Sequence, residues 1–194
     1  FQSQISKSKR FRKKKPLVSI CTITFNRYNF LNILKGHIIN QTYPTNLIEW
    51  IIIDDSTDKI DQNIIKDSRL NIKYSKLKER TKIGKKRNIA NNKAKGDIII
   101  IMDDDDFYPV NRVSYVVDKL TNSEKLISGS TCIPILYLPE KELWMAGPYG
   151  NNHATAATFA FNRKLLNITQ FNDDSKSGEE KEFLKGYTIP MLQL

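Results

Sequence analysis

The chain has 194 residues, of which 40% are hydrophobic and 27% charged, enough for one well-buried α/β domain and too few for two. Thirty-one basic residues against 21 acidic ones give a net charge of +10, which favours an anionic partner or a phosphorylated small molecule. Two cysteines and two histidines without CxxC or HExxH spacing exclude a disulfide framework and a structural zinc site, and no stretch approaches the roughly 18 apolar residues of a membrane span.

Residues 1–15, dense in Lys and Arg from Lys7 to Lys15, read as a flexible basic arm, and 16–194 as one catalytic domain. The chain starts without Met and stops at Leu194, so the domain is expected to be excised from a longer protein. Lys13–Lys15 ahead of the apolar run Leu17–Phe25 resembles a secretory signal. The run is short, contains Ser19 and Thr22, and lacks a small-residue cleavage site, so a first strand is expected instead. A cytoplasmic or soluble lumenal location follows, with Cys21 and Cys132 both reduced.

Tyr28 to Asn40 carries Phe30, Leu31, Leu34, Ile38 and Ile39 at helical spacing. After Pro44, Glu49–Ile53 reads as a second strand ending in Asp54-Asp55. Ile60–Ser68 is expected to be a short helix, Ile72–Leu77 a third strand and Gly84–Ala94 a helix. Ile98–Met102 is the fourth strand, and Asn111–Leu120 a further helix. Alternating strands and helices with short linkers predict a doubly wound, mostly parallel sheet. Leu126–Cys132 and Ile133–Leu138 read as a hairpin or antiparallel edge, His153–Phe161 as β-prone, Gly178–Leu184 as helical, and the remaining C-terminus as irregular.

The chemistry concentrates at strand ends. Ile98-Ile-Ile-Ile-Met102 has the composition of a buried central strand and runs directly into Asp103–Asp106. In open α/β sheets ligands bind beyond the carboxyl ends of the strands, and four adjacent carboxylates call for a cation. Oxygen-only ligands suit Mg²⁺ or Mn²⁺, which commonly bridge carboxylates to substrate phosphates. A solvated acidic turn is the alternative. Asp54-Asp55 emerges on the same edge, where Asp55 suits a base or ribose, and the basic residues of Lys82–Arg87 suit a diphosphate. Neither GxGxxG nor GxxxxGK[ST] occurs, which argues against dinucleotide and P-loop enzymes.

Several segments together resemble family-two inverting glycosyltransferases of the GT-A fold. They are Val18–Arg27 with its Thr-x-Asn-Arg end, Gln41–Pro44 followed by Glu49–Asp58, Lys85–Asn88, Ala94–Asp97, and Asp103–Asp106 with Pro109 as a DxD signature. The resemblance runs in order through nearly the whole chain. It implies a Rossmann-like, mostly parallel sheet with a small antiparallel C-terminal portion. The activity it implies is transfer of a hexose-type sugar from a nucleotide diphosphate, UDP above all, to an acceptor hydroxyl on a glycan, protein or other molecule. Thr24, Asn26, Arg27, Asp54, Asp55, Lys85, Arg87, Asp103 and Asp104 would then contact the nucleotide sugar. Asp105, with Asp103 and Asp106, would hold the Mn²⁺ or Mg²⁺. In the Gly178–Leu184 segment Glu180 would be the general base, with Glu179 as substitute. His153 could ligate the metal or donate to the diphosphate, with a structural role as the alternative, and Trp144 and Tyr149 could stack on a sugar or simply pack. Ser56 departs from the Gly usual after the acidic pair. The Gln-x-x-Arg-Trp motif of processive synthases is missing, which favours a soluble, non-processive enzyme. The rival functions are a nucleotidyltransferase acting on sugar phosphates, which lacks a Gly-rich first strand here, and a basic nucleic-acid-binding module, which leaves the Asp cluster unexplained.

Overall fold

The computed structural model describes residues 14–194, so most of the expected basic arm lies outside the described residues. Seven strands form one sheet: β1 (Val18–Thr24), β2 (Ile48–Asp54), β3 (Asn71–Lys76), β4 (Ile98–Ile101), β5 (Ile127–Gly129), β8 (Ala160–Asn162) and β9 (Met191–Gln193). Their order is β3-β2-β1-β4-β8-β5-β9. The first four are mutually parallel, β8 runs antiparallel to both β4 and β5, and β9 is parallel to β5. A separate two-stranded sheet pairs β6 (Ile133–Tyr137) with β7 (Glu142–Ala146). The mixed α/β class with a small antiparallel portion is as expected.

The isoleucine runs are explained by burial on both faces of the sheet. Ile20, Ile52, Ile98 and Ile100 pack on one side with Leu31, Leu34 and Ile38 of α1 (Tyr28–Ile39), Ile64 of α2 (Gln62–Ile65), and Val113, Val116 and Leu120 of α4 (Arg112–Thr121). Cys21, Ile51, Ile53, Ile99 and Ile101 pack on the other with Ala90 of α3 (Ile83–Lys93), Phe161, Phe171, and Phe183 of α5 (Glu180–Phe183). Alternate residues of one strand thus feed two cores. Truncating any of these isoleucines to Ala removes a fully buried side chain, a loss of roughly 2–5 kcal/mol. Burial also pushes the Cys21 thiol well above its usual range, with Glu49 adding to the effect.

Three sequence expectations change. Leu126–Cys132 does not pair with Ile133–Leu138: β5 is fully buried inside the main sheet, and β6 turns back through Leu138–Lys141 onto β7. Lys141 adopts a positive φ of 55° to make that turn. The C-terminus is not wholly irregular, because Met191–Gln193 adds an edge strand beside β5. The short helix expected over 60–68 is confined to Gln62–Ile65, where the Asp61 side chain accepts from the Asn63 N–H. No helix among the described residues is long and apolar enough to cross a membrane.

Candidate active site

β1, β2 and β4 lie side by side and end together, so Thr24–Arg27, Asp54–Asp55 and Asp103–Asp106 gather at one edge of the sheet. The N-terminal turns of α3 close the same edge. Gly84 fixes that placement: its N–H donates to the Ser175 carbonyl at 3.2 Å, and a Cβ there would fall 1.8 Å from the Asn172 carbonyl oxygen. A cavity of about 190 Å³ results, lined by Thr24, Arg27, Arg80, Lys86, Arg87 and Asp103–Asp105, with Ile23, Phe25 and Ile83 as its apolar wall.

The floor of the cleft is a set of satisfied carboxylates. Asp54 is fully buried and accepts from the Ser56 N–H at 2.7 Å, Tyr74 at 2.6 Å, Tyr28 at 3.1 Å and Lys76 at 3.2 Å. Burial alone would raise its pKa, but the donors from Ser56, Tyr74 and Lys76 outweigh it and hold the group below its ordinary value. Asp55 accepts from Arg80 Nη1, the Thr81 N–H and Lys86 Nζ at 2.7–2.9 Å. Arg80 in turn lies 3.5 Å over the Phe25 ring. Lys86, itself buried, also reaches the Thr24 carbonyl. Burial lowers its pKa, and Asp55 only partly offsets this.

Arg87 joins the floor to the acidic cluster. Its two Nη atoms grip Asp103 at 3.0 and 3.1 Å, while Nε donates to Glu179 at 2.6 Å. Burial opposes its charge, but Asp103 and then Glu179 overcome that and raise its pKa. Asp104 is buried, accepting from Thr24 at 2.6 Å and Arg27 at 3.3 Å, and burial raises its pKa. Arg27 also pairs with the exposed Asp105. Asp106 is pushed up to about 6 by desolvation and then by Asp103 and Asp105, against a weak donor in Tyr108 at 3.4 Å.

The apolar wall, the convergent cations and the crowded carboxylates suit a small anionic ligand. The family model described as glycosyl transferase family 2 matches residues 19–169. The chain belongs to this family.

Among curated relatives, the Staphylococcus aureus poly(ribitol-phosphate) beta-N-acetylglucosaminyltransferase TarS is 32% identical over 92 residues, 46% of this chain and 16% of TarS. An uncharacterized glycosyltransferase of Haemophilus influenzae is 40% identical over 97 residues, 47% of this chain and 37% of that protein. Among solved structures, S. aureus TarS 1-349 superposes with a TM-score of 0.73 at 22% identity, covering 91% of this chain and 57% of that one. The Pyrobaculum calidifontis mannosyltransferase PcManGT, solved with GDP-Man and Mn²⁺, gives 0.74 at 18% identity, covering 94% and 55%. The chain therefore spans well under half of the curated relatives and little more than half of the solved ones. The two structural likenesses bear on the GT-A fold alone.

Of the family 2 site residues expected from the sequence, Thr24, Arg27, Arg87, Asp103, Asp104 and Asp105 line the cavity together. Asn26, at a positive φ of 53°, exchanges hydrogen bonds with Thr57 and donates its N–H to the Ser56 hydroxyl, pinning the loop after β1 to the loop after β2. Ser56 thus has a use in the place where a Gly is usual. Lys85 points away, into a separate small cavity with Lys82, Asp173 and Asp174. Its neighbour Lys86 enters the site instead. The signal was present, because Lys86 is one helical turn before the buried Ala90 and so shares its face. His153 is not among the residues lining the cavity; its ring lies between Tyr149 and Tyr187 at 4.6 and 4.3 Å. Glu179 is buried against Arg87, whereas Glu180 is half-buried at the start of α5, close enough to Tyr187 to raise that phenol's pKa after desolvation.

The acidic donor set fits a hard divalent cation in chemistry: Asp103, Asp105 and Asp106 offer only oxygen, and desolvation followed by the charges of Asp103 and Asp105 disfavours the ionised form of Asp106. As the side chains stand among the described residues, no three His, Cys, Asp or Glu groups converge on one metal position. Arg27 and Arg87 occupy the carboxylates instead.

Proposed function

We propose that residues 16–194 form the catalytic domain of a metal-dependent inverting glycosyltransferase, moving a sugar from a nucleotide diphosphate, UDP, to an acceptor hydroxyl. The observation that carries this reading is the single cavity in which Asp103–Asp105 face Arg27, Lys86 and Arg87. Family membership supports it. So do relatives of like fold solved with UDP-GlcNAc, or with GDP-Man and Mn²⁺.

Asp103, Asp105 and Asp106 would hold a Mg²⁺ or Mn²⁺ ion, which supplies charge neutralisation for a departing diphosphate. Arg27, Arg80 and Lys86 add fixed positive charge along the same wall, and Thr24, Asn26 and the Asp54-Asp55 loop shape the nucleoside end. Asp55 orients Lys86 and Arg80 as well as bordering that end. Glu180 takes the proton from the acceptor hydroxyl as its oxygen bonds to the anomeric carbon. The bond from that carbon to the diphosphate oxygen breaks, its electron pair leaves with the diphosphate, and the configuration inverts. Glu179, tied to Arg87, sets the start of α5 and so the position of Glu180.

Membership of family 2 weighs against the nucleotidyltransferase alternative, and a nucleic-acid module still leaves the acidic cluster without a purpose. A hydrolysis screen of UDP-, GDP- and other nucleotide sugars with Mn²⁺, with and without EDTA, tests the proposal. Cleavage of a UDP-sugar that stops in EDTA is expected. Undiminished cleavage in EDTA overturns the metal, preference for GDP-sugars overturns the nucleotide, and no cleavage of any donor counts against the activity.

A further inference from the structure

More than half of the strongly exposed large apolar side chains among the described residues fall between Ile135 and Met145, in the β6–β7 hairpin. Such a concentration on one small element marks a binding surface rather than ordinary surface scatter. Its two faces differ. Cross-strand pairs Ile135 with Trp144 and Tyr137 with Glu142 share one face, whereas Leu136 with Leu143 and Pro134 with Met145 share the other. The second face is aliphatic and offers no polar group.

The first face is built. Trp144 is 59% exposed, yet its indole is held by a hydrogen bond from Nε1 to Glu142 at 3.1 Å and by an edge contact with the Tyr137 ring at 6.1 Å. Tyr137, Trp144, Glu140 and Glu142 border a cavity of about 350 Å³. Neither Glu140 nor Glu142 is in an ion pair among the described residues, so both carboxylates remain acceptors for a donor-rich ligand. A pyranose ring meets both demands: its C–H face lies on an aromatic ring and its rim of hydroxyls donates to carboxylates. With two carboxylates against the single ammonium of Lys141, the turn disfavours a polyanion and suits a neutral sugar.

The location fits an acceptor. The base of the hairpin is fixed by the Tyr149 N–H donating to the Thr131 carbonyl at 2.9 Å. The Tyr149 ring packs at a tilt against His153 and His153 against Tyr187, which lies in the turn after α5, the helix that Glu180 begins. Tyr149 follows Trp144 by five positions, at most roughly 18 Å of chain. We infer that the Trp144–Tyr137 face of the β6–β7 hairpin is a binding subsite for a neutral pyranose unit of an oligosaccharide acceptor, remote from the sugar that is modified. This rests on the glycosyltransferase reading and narrows its acceptor to a glycan.

The test is a glycan array of neutral pyranose oligosaccharides probed with the whole chain, its strongest hit then titrated by tryptophan fluorescence. Trp50 is fully buried and Trp144 is the only other tryptophan, so iodide quenching reports Trp144. The expected result is a retained glycan that shields Trp144 from iodide in the parent protein, with affinity by calorimetry falling about tenfold or more in Trp144→Ala and partly restored in Trp144→Phe. No glycan retained above the Trp144→Ala background, or equal affinity in that variant, overturns the subsite. So would shielding by choline in place of any sugar, which makes the face a cation cage, or a dimer by light scattering that Trp144→Ala dissociates. Failure of the unsubstituted protein to cleave any nucleotide sugar would count against the function above, while the array alone judges the hairpin.

Discussion

The floor and the mouth of the cleft hold the same kind of group in opposite circumstances. On the floor, Asp54, Asp55 and Glu179 are buried, and each is tied by protein donors: Ser56, Tyr74 and Lys76; Arg80, Thr81 and Lys86; Arg87. At the mouth, Asp105 and Asp106 are exposed and Asp106 is short of positive charge, while Glu180, the proposed base, is half-buried at the start of α5. Buried charge demands fixed partners, since an unpaired ion in the interior is strongly unfavourable. Exposed charge can wait for a ligand. Floor carboxylates should therefore report on folding and mouth carboxylates on turnover.

The largest expected effect lies at the proposed base. Glu180→Gln should leave melting unchanged and slow sugar transfer by about 10² to 10⁴, the usual cost of losing a general base. Glu179→Gln, measured alongside by transfer and melting, should instead lower stability by weakening the Arg87 pair. If Glu179→Gln alone abolished transfer in a fully folded protein, the roles of the two acids would be exchanged.

Arg87→Met cuts the link between floor and mouth. It strands Asp103 and the buried Glu179, and denaturant unfolding should register a loss of about 3–5 kcal/mol. An unchanged midpoint would mean that the two carboxylates find other partners.

Asp105→Asn should weaken nucleotide-sugar binding in the presence of Mn²⁺ by about 1.5–3 kcal/mol, the worth of a charged contact, with no change in melting. Calorimetry giving the same affinity in this variant, or in EDTA, would remove the metal from the mouth.

The smallest effect is expected on the floor, at Asp54. Asp54→Asn should cost about 1–3 kcal/mol at pH 7 through lost charged hydrogen bonds. The folded pKa of Asp54 is depressed despite its burial, so its contribution is fully present above the unfolded value of about 3.9. It is lost as pH falls through the folded value. The stability gap between parent and variant should accordingly shrink on acidification below about pH 4. Melting curves with a gap independent of pH would show that Asp54 stabilises through shape rather than charge.

Much of the architecture was legible in the chain. Uninterrupted isoleucine runs encode strands buried on both faces, helical spacing in Tyr28–Asn40 and Asn111–Leu120 encodes amphipathic cover, and strands that end in Asp place acids at a ligand edge. These are local periodicities, and they specify which elements form and where polar chemistry must emerge. What they leave open is partnership. Lys85 and Lys86 are adjacent and chemically identical, but only the one on the Ala90 face of α3 reaches Asp55. Glu179 and Glu180 differ by one residue, and only the fold aims Arg87 at the former. The stretch 126–146 reads equally well under two pairings; burial of β5 between β8 and β9 selected the one that leaves β6 to pair with β7. Sequence pattern thus determined the elements and the edge on which the acids gather, because periodicity is a property of neighbours along the chain. Which acid is tied down and which is left to meet a ligand depends on cations supplied from 16 to 92 residues away, and only the tertiary structure decides that.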